Sequence, residues 1–202
     1  MYKKIRYTIG MIYKINNLKK RMKQKPLKIV VGAGRFTQDG WIETNIDMLN
    51  LLKSYDWKRF FKKNSIDAIL AEHVWEHLTL KEGISAARTC FQYLKYNGYL
   101  RAAVPDGLHP DPKYIEWVKP GGIGLGAEDH RVMYTYKSFK EIFELAGFKV
   151  DFLEYFDEKG QFHYKEWDSK DGMIRRSKRF DKRNKDEKLN YTSIIMDVRK
   201  VS

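Results

Sequence analysis

The sequence predicts an α/β domain built on a mainly parallel β-sheet, and three observations predict it. Short apolar runs recur along the 202 residues and read as buried strands. Helical patterns with their own capping signals alternate with these runs, as in chains that wind helices around a parallel sheet. The composition, 43% hydrophobic and 14% aromatic, supplies a full core at a length that suits one domain and excludes intrinsic disorder. A single cysteine, Cys90, excludes an internal disulfide framework and an all-cysteine zinc site; it falls near a helical stripe and reads as a small core residue. No apolar run approaches the roughly 18 residues of a membrane span. Lys14 interrupts the N-terminal apolar stretch, which argues against a secretory signal. A reducing, cytoplasmic setting is the expectation.

The net charge of +13 is concentrated at one end. Residues 1–25 hold nine Lys or Arg and no Asp or Glu, leaving +4 for the remaining 177 residues. Within this stretch Ile5, Ile9, Ile12, Ile15, Leu18 and Met22 recur at helical spacing, so residues 1–26 read as a basic amphipathic helix ended by Pro26. Three partners fit it. The apolar stripe can pack on the domain, the whole helix can lie on an anionic membrane surface, or the basic face can meet nucleic acid.

Residues 27–202 read as the domain proper. Residues 27–31 are a short strand that runs into Gly32-Ala33-Gly34, and residues 41–47 alternate and end at Asp47. Residues 66–71 form a buried strand. Thr79 and Glu82 make a capping box for a helix with Leu80, Ile84, Ala87, Phe91 and Leu94 on one face, and Asn97-Gly98 is its expected stop. Residues 99–104 form the next strand, ending at Pro105-Asp106. Ser138 and Glu141 make a second capping box ahead of Phe139, Ile142, Phe143 and Ala146. Residues 148–156 and 191–198 read as the last two strands.

Open α/β sheets bind ligands beyond the carboxyl ends of their strands. That rule selects Gly32, Gly34, Asp47, Glu72, His73 and Asp106, each directly after a predicted strand. Glycines let a ligand approach the backbone closely, and an acid ending the second strand can hold ribose hydroxyls. A dinucleotide fingerprint requires a third glycine where Thr37 stands, and an acid later than Asp47. A pyrophosphate also wants a helix N-terminus, for which the chain between Gly34 and Gly40 leaves little room. The pattern therefore favours a nucleoside cofactor without phosphate.

The order Val30-Val31-Gly32-Ala33-Gly34, Gly40-Trp41-Ile42 to Asp47, Ala71-Glu72-His73-Val74-Trp75-Glu76-His77-Leu78, Asn97-Gly98-Tyr99-Leu100, Val104-Pro105-Asp106 and Ala146-Gly147-Phe148 resembles the class I S-adenosylmethionine-dependent methyltransferases, in particular small predicted methyltransferases of the type-11 kind. The resemblance spans roughly residues 27–200. It implies a Rossmann-like methyltransferase fold, with a seven-stranded sheet whose last two strands are antiparallel. It implies S-adenosyl-L-methionine as cofactor, with Gly32 and Gly34 beside it and Asp47 on its ribose. Glu72, by its place at the end of a strand, is a further candidate cofactor contact. Val30 departs from the family's acid before the first glycine, Phe36 from its third glycine, and the first helix is reduced to residues 35–39. The N-terminal helix is a candidate to cover the surface this leaves bare.

Methyl transfer from a sulfonium is an in-line displacement that depends on alignment, with a base where the nucleophile is a hydroxyl. His73 and Asp106 are the candidate catalytic residues. Residues 105–136 are long enough to be a lid, with His109, Trp117 and His130 as candidate substrate contacts and a glycine run over residues 121–126. Residues 156–190 form a second insertion whose aromatics and basic residues 175–179 suit nucleic acid. Its eight acids against eleven bases favour instead a charged hairpin flanking the site. Methyl transfer to a small-molecule, sugar or lipid acceptor is the expected function. Two alternatives stand beside it: a catalytically silent nucleotide- or nucleic-acid-binding module of the same fold, and a zinc hydrolase using His73-x-x-Glu76-His77. Zinc in that motif needs both histidines on one helical face and a third ligand; here His73 closes a strand and the helix starts only at Thr79, so the motif straddles a strand–helix junction and no metal is expected.

Overall fold

The computed structural model describes residues 15–201. Residues 15–21 are helical (α1). Five strands then run in one direction: β1 (Lys28–Val31), β2 (Ile42–Glu43), β3 (Ile66–Glu72), β4 (Leu94–Pro105) and β5 (Lys149–Phe156). Two run the opposite way, β6 (Phe162–Tyr164) and β7 (Ser193–Arg199), and the sheet order is β2-β1-β3-β4-β7-β5-β6. The helices are α2 (Ser54–Phe60), α3 (Leu80–Tyr93), α4 (Pro112–Val118) and α5 (Tyr136–Glu144). The expected mixed seven-stranded sheet is present, with β7 inserted antiparallel between β4 and β5.

Alternation along the strands divides the core in two. Ile29, Val31, Ile69, Ala71, Leu100, Ala102, Ile194 and Met196 face the helical side, where Phe139, Phe143 and Trp57 join them. Val30, Ala68, Leu70, Ala103 and Ile195 face the other side. No helix among the described residues covers that second face. Residues 32–41, which link the parallel pair β1 and β2, form turns instead of the expected short helix over residues 35–39. Trp41 from these turns, with Trp167 and Ile174 from the insertion 156–190, supplies the cover. Among the described residues, the insertion and not α1 therefore takes the place of the missing crossover helix.

The insertion is held by buried charge. Arg101 on β4 makes a bidentate pair with Asp197 on β7, at 2.7 and 2.9 Å. Its remaining nitrogen donates to the carbonyls of Asp168 and Gly172 at 2.9 and 2.8 Å, and its guanidinium lies 4.9 Å from the Trp167 ring centre. Glu154 on β5 accepts from Trp167 Nε1 and from the Lys178 amide.

Several sequence expectations shift by a turn. The α3 capping box at Thr79 and Glu82 forms as read. α3 ends at Tyr93, before Asn97-Gly98, because Leu94 already pairs with Ile66; Asn97, at φ 60°, sits at the irregular stretch where the β3–β4 register shifts. α5 starts from Thr135, whose reciprocal bonds with Ser138 form the capping box in place of Ser138 and Glu141. β2 is only two residues long, since residues 44–49 turn away after it. The segment 105–136 contains α4 and a 3-10 turn, Ala127–Asp129, and so is a folded excursion. On α1 and the turn that follows it, Ile15, Leu18 and Met22 are buried, while Lys19, Lys20 and Lys23 are exposed. Arg21 ties α1 to the sheet edge through Glu43 and the Trp41 carbonyl. Ile5, Ile9 and Ile12 lie outside the described residues. No helix among the described residues is long and apolar enough to cross a membrane.

Replacing Arg101 by Ala leaves Asp197 buried without its partner, and urea unfolding should report a loss of about 3–5 kcal/mol. Arg101→Met with Asp197→Leu should recover much of this. The double variant should still be cleaved faster near residues 168–172 in limited proteolysis, because two carbonyls have lost their donor. Equal cleavage rates would show that the pair does not anchor the insertion.

Candidate active site

The carboxyl ends of β1 and β3 meet at Gly32 and His73. Gly32 turns left-handed at φ +65°, and a Cβ there would stand 2.7 Å from Val74 Cγ2. Only a glycine allows the two strand ends to approach this closely. Gly34 is also left-handed, at φ +59°, but open space surrounds the place where its Cβ would project. Asn45, just past β2, holds the turn. Its Oδ1 accepts from the Gly34 amide at 2.7 Å and its Nδ2 donates to the Gly34 carbonyl at 3.1 Å.

Two cavities flank this junction, and both are lined by Gly32, His73 and His77. One, of about 280 Å³, is walled by Ile46, Leu49, Leu51, Val74 and Leu78, with Asn50 among them. The other, of about 230 Å³, is polar and is lined by Arg35, Glu72, Glu76, His130, Arg175 and Arg176, with Trp117, Leu125 and Tyr191 at its wall.

Glu72 closes the polar cavity. One of its oxygens accepts from the Arg175 amide and Nε, at 3.3 and 3.2 Å, and the other from the Arg176 amide and Nη1, at 3.0 and 3.3 Å. Behind it lies Glu76, 1% exposed. His73 Nδ1 is 3.3 Å from Glu76 Oε1 but is not aligned for a hydrogen bond, so both Glu76 oxygens lack a partner. Burial pushes the Glu76 carboxyl up to about 8, and burial together with Arg176 holds His73 well below the usual histidine range. His73 Nε2 is 2.9 Å from Ser193 Oγ. His77 is also lowered, by burial and then by His130, whose ring centre is 4.8 Å away.

No protein-family model matches the chain, and no curated protein is significantly similar to it in sequence. Solved structures are similar in fold. A crystal structure of an S-adenosylmethionine-dependent methyltransferase from Mesorhizobium loti is 10% identical, covering 90% of this chain and 95% of that one, with a TM-score of 0.53. SAM-dependent methyltransferases from Archaeoglobus fulgidus (16% identity, 92% and 93% covered, TM-score 0.48) and Methanosarcina mazei (11%, 88% and 94%, 0.49) are similar at lower scores. The fold is that of a class I S-adenosylmethionine-dependent methyltransferase.

Within this methyltransferase fold the residues selected from sequence scatter. Gly32, Gly34, Glu72, His73, Trp117 and His130 all line the polar cavity. Asp47 does not: it is exposed and borders a groove with Asn17, Leu18 and Arg21 of the α1 region. The chain has already turned away after Glu43, and Asp47 lines neither of the two cavities at Gly32. The residue that faces the glycine loop is Asn45. Phe36 packs under the Arg175 guanidinium, 4.5 Å from it, and lines neither cavity. Asp106 is fully buried and lines neither cavity; it accepts from the Leu108 and Phe156 amides, pinning the end of β4 to the end of β5. His109 is likewise a packing element. Its Nδ1 accepts from the Asp111 amide, its Nε2 donates to the Leu189 carbonyl, and its ring stacks on Tyr114 at 4.0 Å. The insertion 156–190, expected to flank the site with its basic residues 175–179, brings Arg175 and Arg176 to the cavity wall. Their pairing with Glu72, more than a hundred residues away in the chain, is announced by no local spacing, and Tyr191 and Asn45 were not selected from the sequence.

Gly32→Ala should cost about 1–3 kcal/mol in folding, from the positive φ and the Val74 clash together. Gly34→Ala should cost about 1 kcal/mol, from φ alone. Chemical denaturation separates them, and equal losses would refute the claim that Gly32 is pinned by packing.

Asp106 provides a pH test. Burial raises its carboxyl from the ordinary 3.8 to about 6, so between these values the folded chain keeps a proton that the unfolded chain has lost. Its contribution to stability therefore falls as pH rises from about 4 to 6, by roughly 2–3 kcal/mol. The stability difference between the native chain and Asp106→Asn should change across this window; a flat difference would contradict the assignment.

Proposed function

We propose that the chain binds S-adenosyl-L-methionine across the junction at Gly32 and transfers its methyl group to a small polar acceptor, a sugar or another small metabolite. The observation that carries this is the pair of cavities, one apolar and one polar, meeting at the strand ends where this fold holds its ligand. The open space at Gly34 is a cradle that any Cβ would fill, and it suits close approach by a cofactor. The apolar cavity, with Ile46, Leu49, Leu51 and Leu78, suits an adenosyl group, and Asn50, His73 and His77 offer polar side chains for its hydroxyls or ring nitrogens. Arg35 and Arg175 suit the carboxylate of an amino-acid tail. Asp47 has no part in this arrangement.

The cofactor supplies an electrophilic methyl on a sulfonium. The chain's task is alignment. His73 lines both cavities and is the proposed recipient of a proton from an acceptor hydroxyl, its Nε2 giving up the contact with Ser193 Oγ to take it. Trp117 and Leu125, both exposed, border the polar cavity at the surface. Arg175 and Arg176, held by Glu72, favour an acceptor rich in oxygen or carrying negative charge.

Calorimetric titration of the full chain with S-adenosylhomocysteine should give saturable one-to-one binding. Ile46 is 75% exposed yet lines the apolar cavity, so Ile46→Glu should leave folding intact and weaken binding by about tenfold or more, through a charge facing an apolar ligand. Asp47→Ala should leave binding unchanged. Absence of saturable binding by the native chain would overturn the proposal.

A further inference from the structure

Beside the methyl-donor junction lies a cluster that methyl transfer does not require. Glu76 and His77 belong to the 3-10 turn Trp75–His77 that follows β3, and His130 follows the 3-10 turn Ala127–Asp129. Their donor atoms all lie within 4.8 Å of one another. His130 Nε2 is 4.0 Å from Glu76 Oε1. All three line the polar cavity.

Two independent features mark this as a built arrangement. Glu76 is 1% exposed, and neither of its carboxylate oxygens has a hydrogen-bond partner. A buried carboxylate left in this way is costly unless something completes it. His130 Nδ1 lies 2.7 Å from the Val118 carbonyl. A carbonyl only accepts, so the proton resides on Nδ1, and Nε2 presents its lone pair to the cluster; this is the outer-shell contact that orients imidazole ligands. The backbone supports it as well. The Arg131 and Val132 amides both donate to the Glu76 carbonyl, at 2.7 and 3.3 Å, fixing the His130 segment beside Glu76.

We propose that Glu76, His77 and His130 bind a divalent first-row transition-metal ion facing the polar cavity. Two imidazole nitrogens and one carboxylate oxygen are the donor set of catalytic zinc and of non-haem iron, and they leave coordination positions open. Magnesium and calcium prefer all-oxygen shells. Bonds of roughly 2.1 Å place donors about 3–4 Å apart, so closing on an ion asks for about 1 Å of side-chain rotation. The open positions would take water or an oxygen of a small-molecule ligand. His73, next to Glu76, is engaged with Ser193 and serves as a neighbour of the site. Arg176 opposes a cation here, but its charge is turned to Glu72. The site differs from the inverted zinc-protease arrangement in using His130 in place of His73, and it carries no implication of hydrolysis.

The inference stands apart from the methyl-transfer reading, and its test uses no methyl donor. The full chain, stripped with chelator, is dialysed against zinc, and bound metal is measured by mass spectrometry; cobalt titration then reports nitrogen ligation through visible absorption. One ion per chain is expected. His130→Gln and His77→Gln should each weaken binding about tenfold or more and alter the cobalt spectrum. His163→Gln, at a histidine paired with Asp157 outside the cavity, should change neither. Glu76→Gln should weaken binding too. Where that variant fails to fold, the two histidine variants decide. No stoichiometric metal on the folded native chain, or binding that survives both histidine substitutions, overturns the proposal.

Discussion

The carboxylate of Glu72 is the contact on which the site depends. It ends β3, the strand whose neighbours are β1 and β4, and it is 8% exposed. Four donors from Arg175 and Arg176 converge on it. Two of the four are backbone amides, so the bond fixes the course of the chain as well as two side chains. A buried carboxylate at a strand end is tolerable only when its lone pairs are satisfied. Here the satisfying groups come from a distant insertion, and that requirement draws the insertion across the sheet to form one wall of the polar cavity.

The same insertion solves a second problem. A parallel sheet with both faces apolar must be covered on both, and the connection between β1 and β2 is too short to hold a helix. Trp41, Trp167 and Ile174 fill that gap. They are positioned by charged groups: Arg101 under the Asp168 and Gly172 carbonyls, and Glu154 under Trp167 and Lys178. An irregular segment exposes backbone polar groups wherever it crosses a core, and these charged side chains are the partners that make its burial acceptable. The second face is therefore a wet-chemistry solution to a packing problem, in which polar satisfaction replaces helix-on-sheet packing.

This construction shapes what the site can do. Because the cover carries Arg175 and Arg176 to the strand ends, one cavity is polar and basic, while the turns after β2 leave the adjoining one apolar. A ligand with an apolar aromatic end and a charged end meets complementary surroundings on the two sides of Gly32. Behind the polar cavity, the turn after β3 buries Glu76 against two histidines without a hydrogen-bond partner. Such a group is stable only in company, whether of a proton or of an ion.

Much of the fold was legible in the sequence, because strand and helix periodicities are local. The runs ending at Val31 and Glu72, the capping box at Thr79 and the alternation of elements announce a mainly parallel α/β sheet before any coordinate is known. So does the placement of Gly32, Gly34, Glu72 and His73, since residues that directly follow parallel strands share one edge of the sheet. Other choices belong to tertiary structure alone. Asp47 and Asn45 are two residues apart, and only the turn after β2 decides which of them meets the glycine loop. Asp106 and His109 carry reactive groups in the right region, yet backbone donors from Phe156 and a carbonyl from Leu189 claim them. Arg175 and Arg176 reach Glu72 across a hundred residues, and His130 reaches Glu76 across some fifty. Pairings between such distant points depend on how the sheet closes and what its bare face must accept as cover, and no spacing along the chain encodes that.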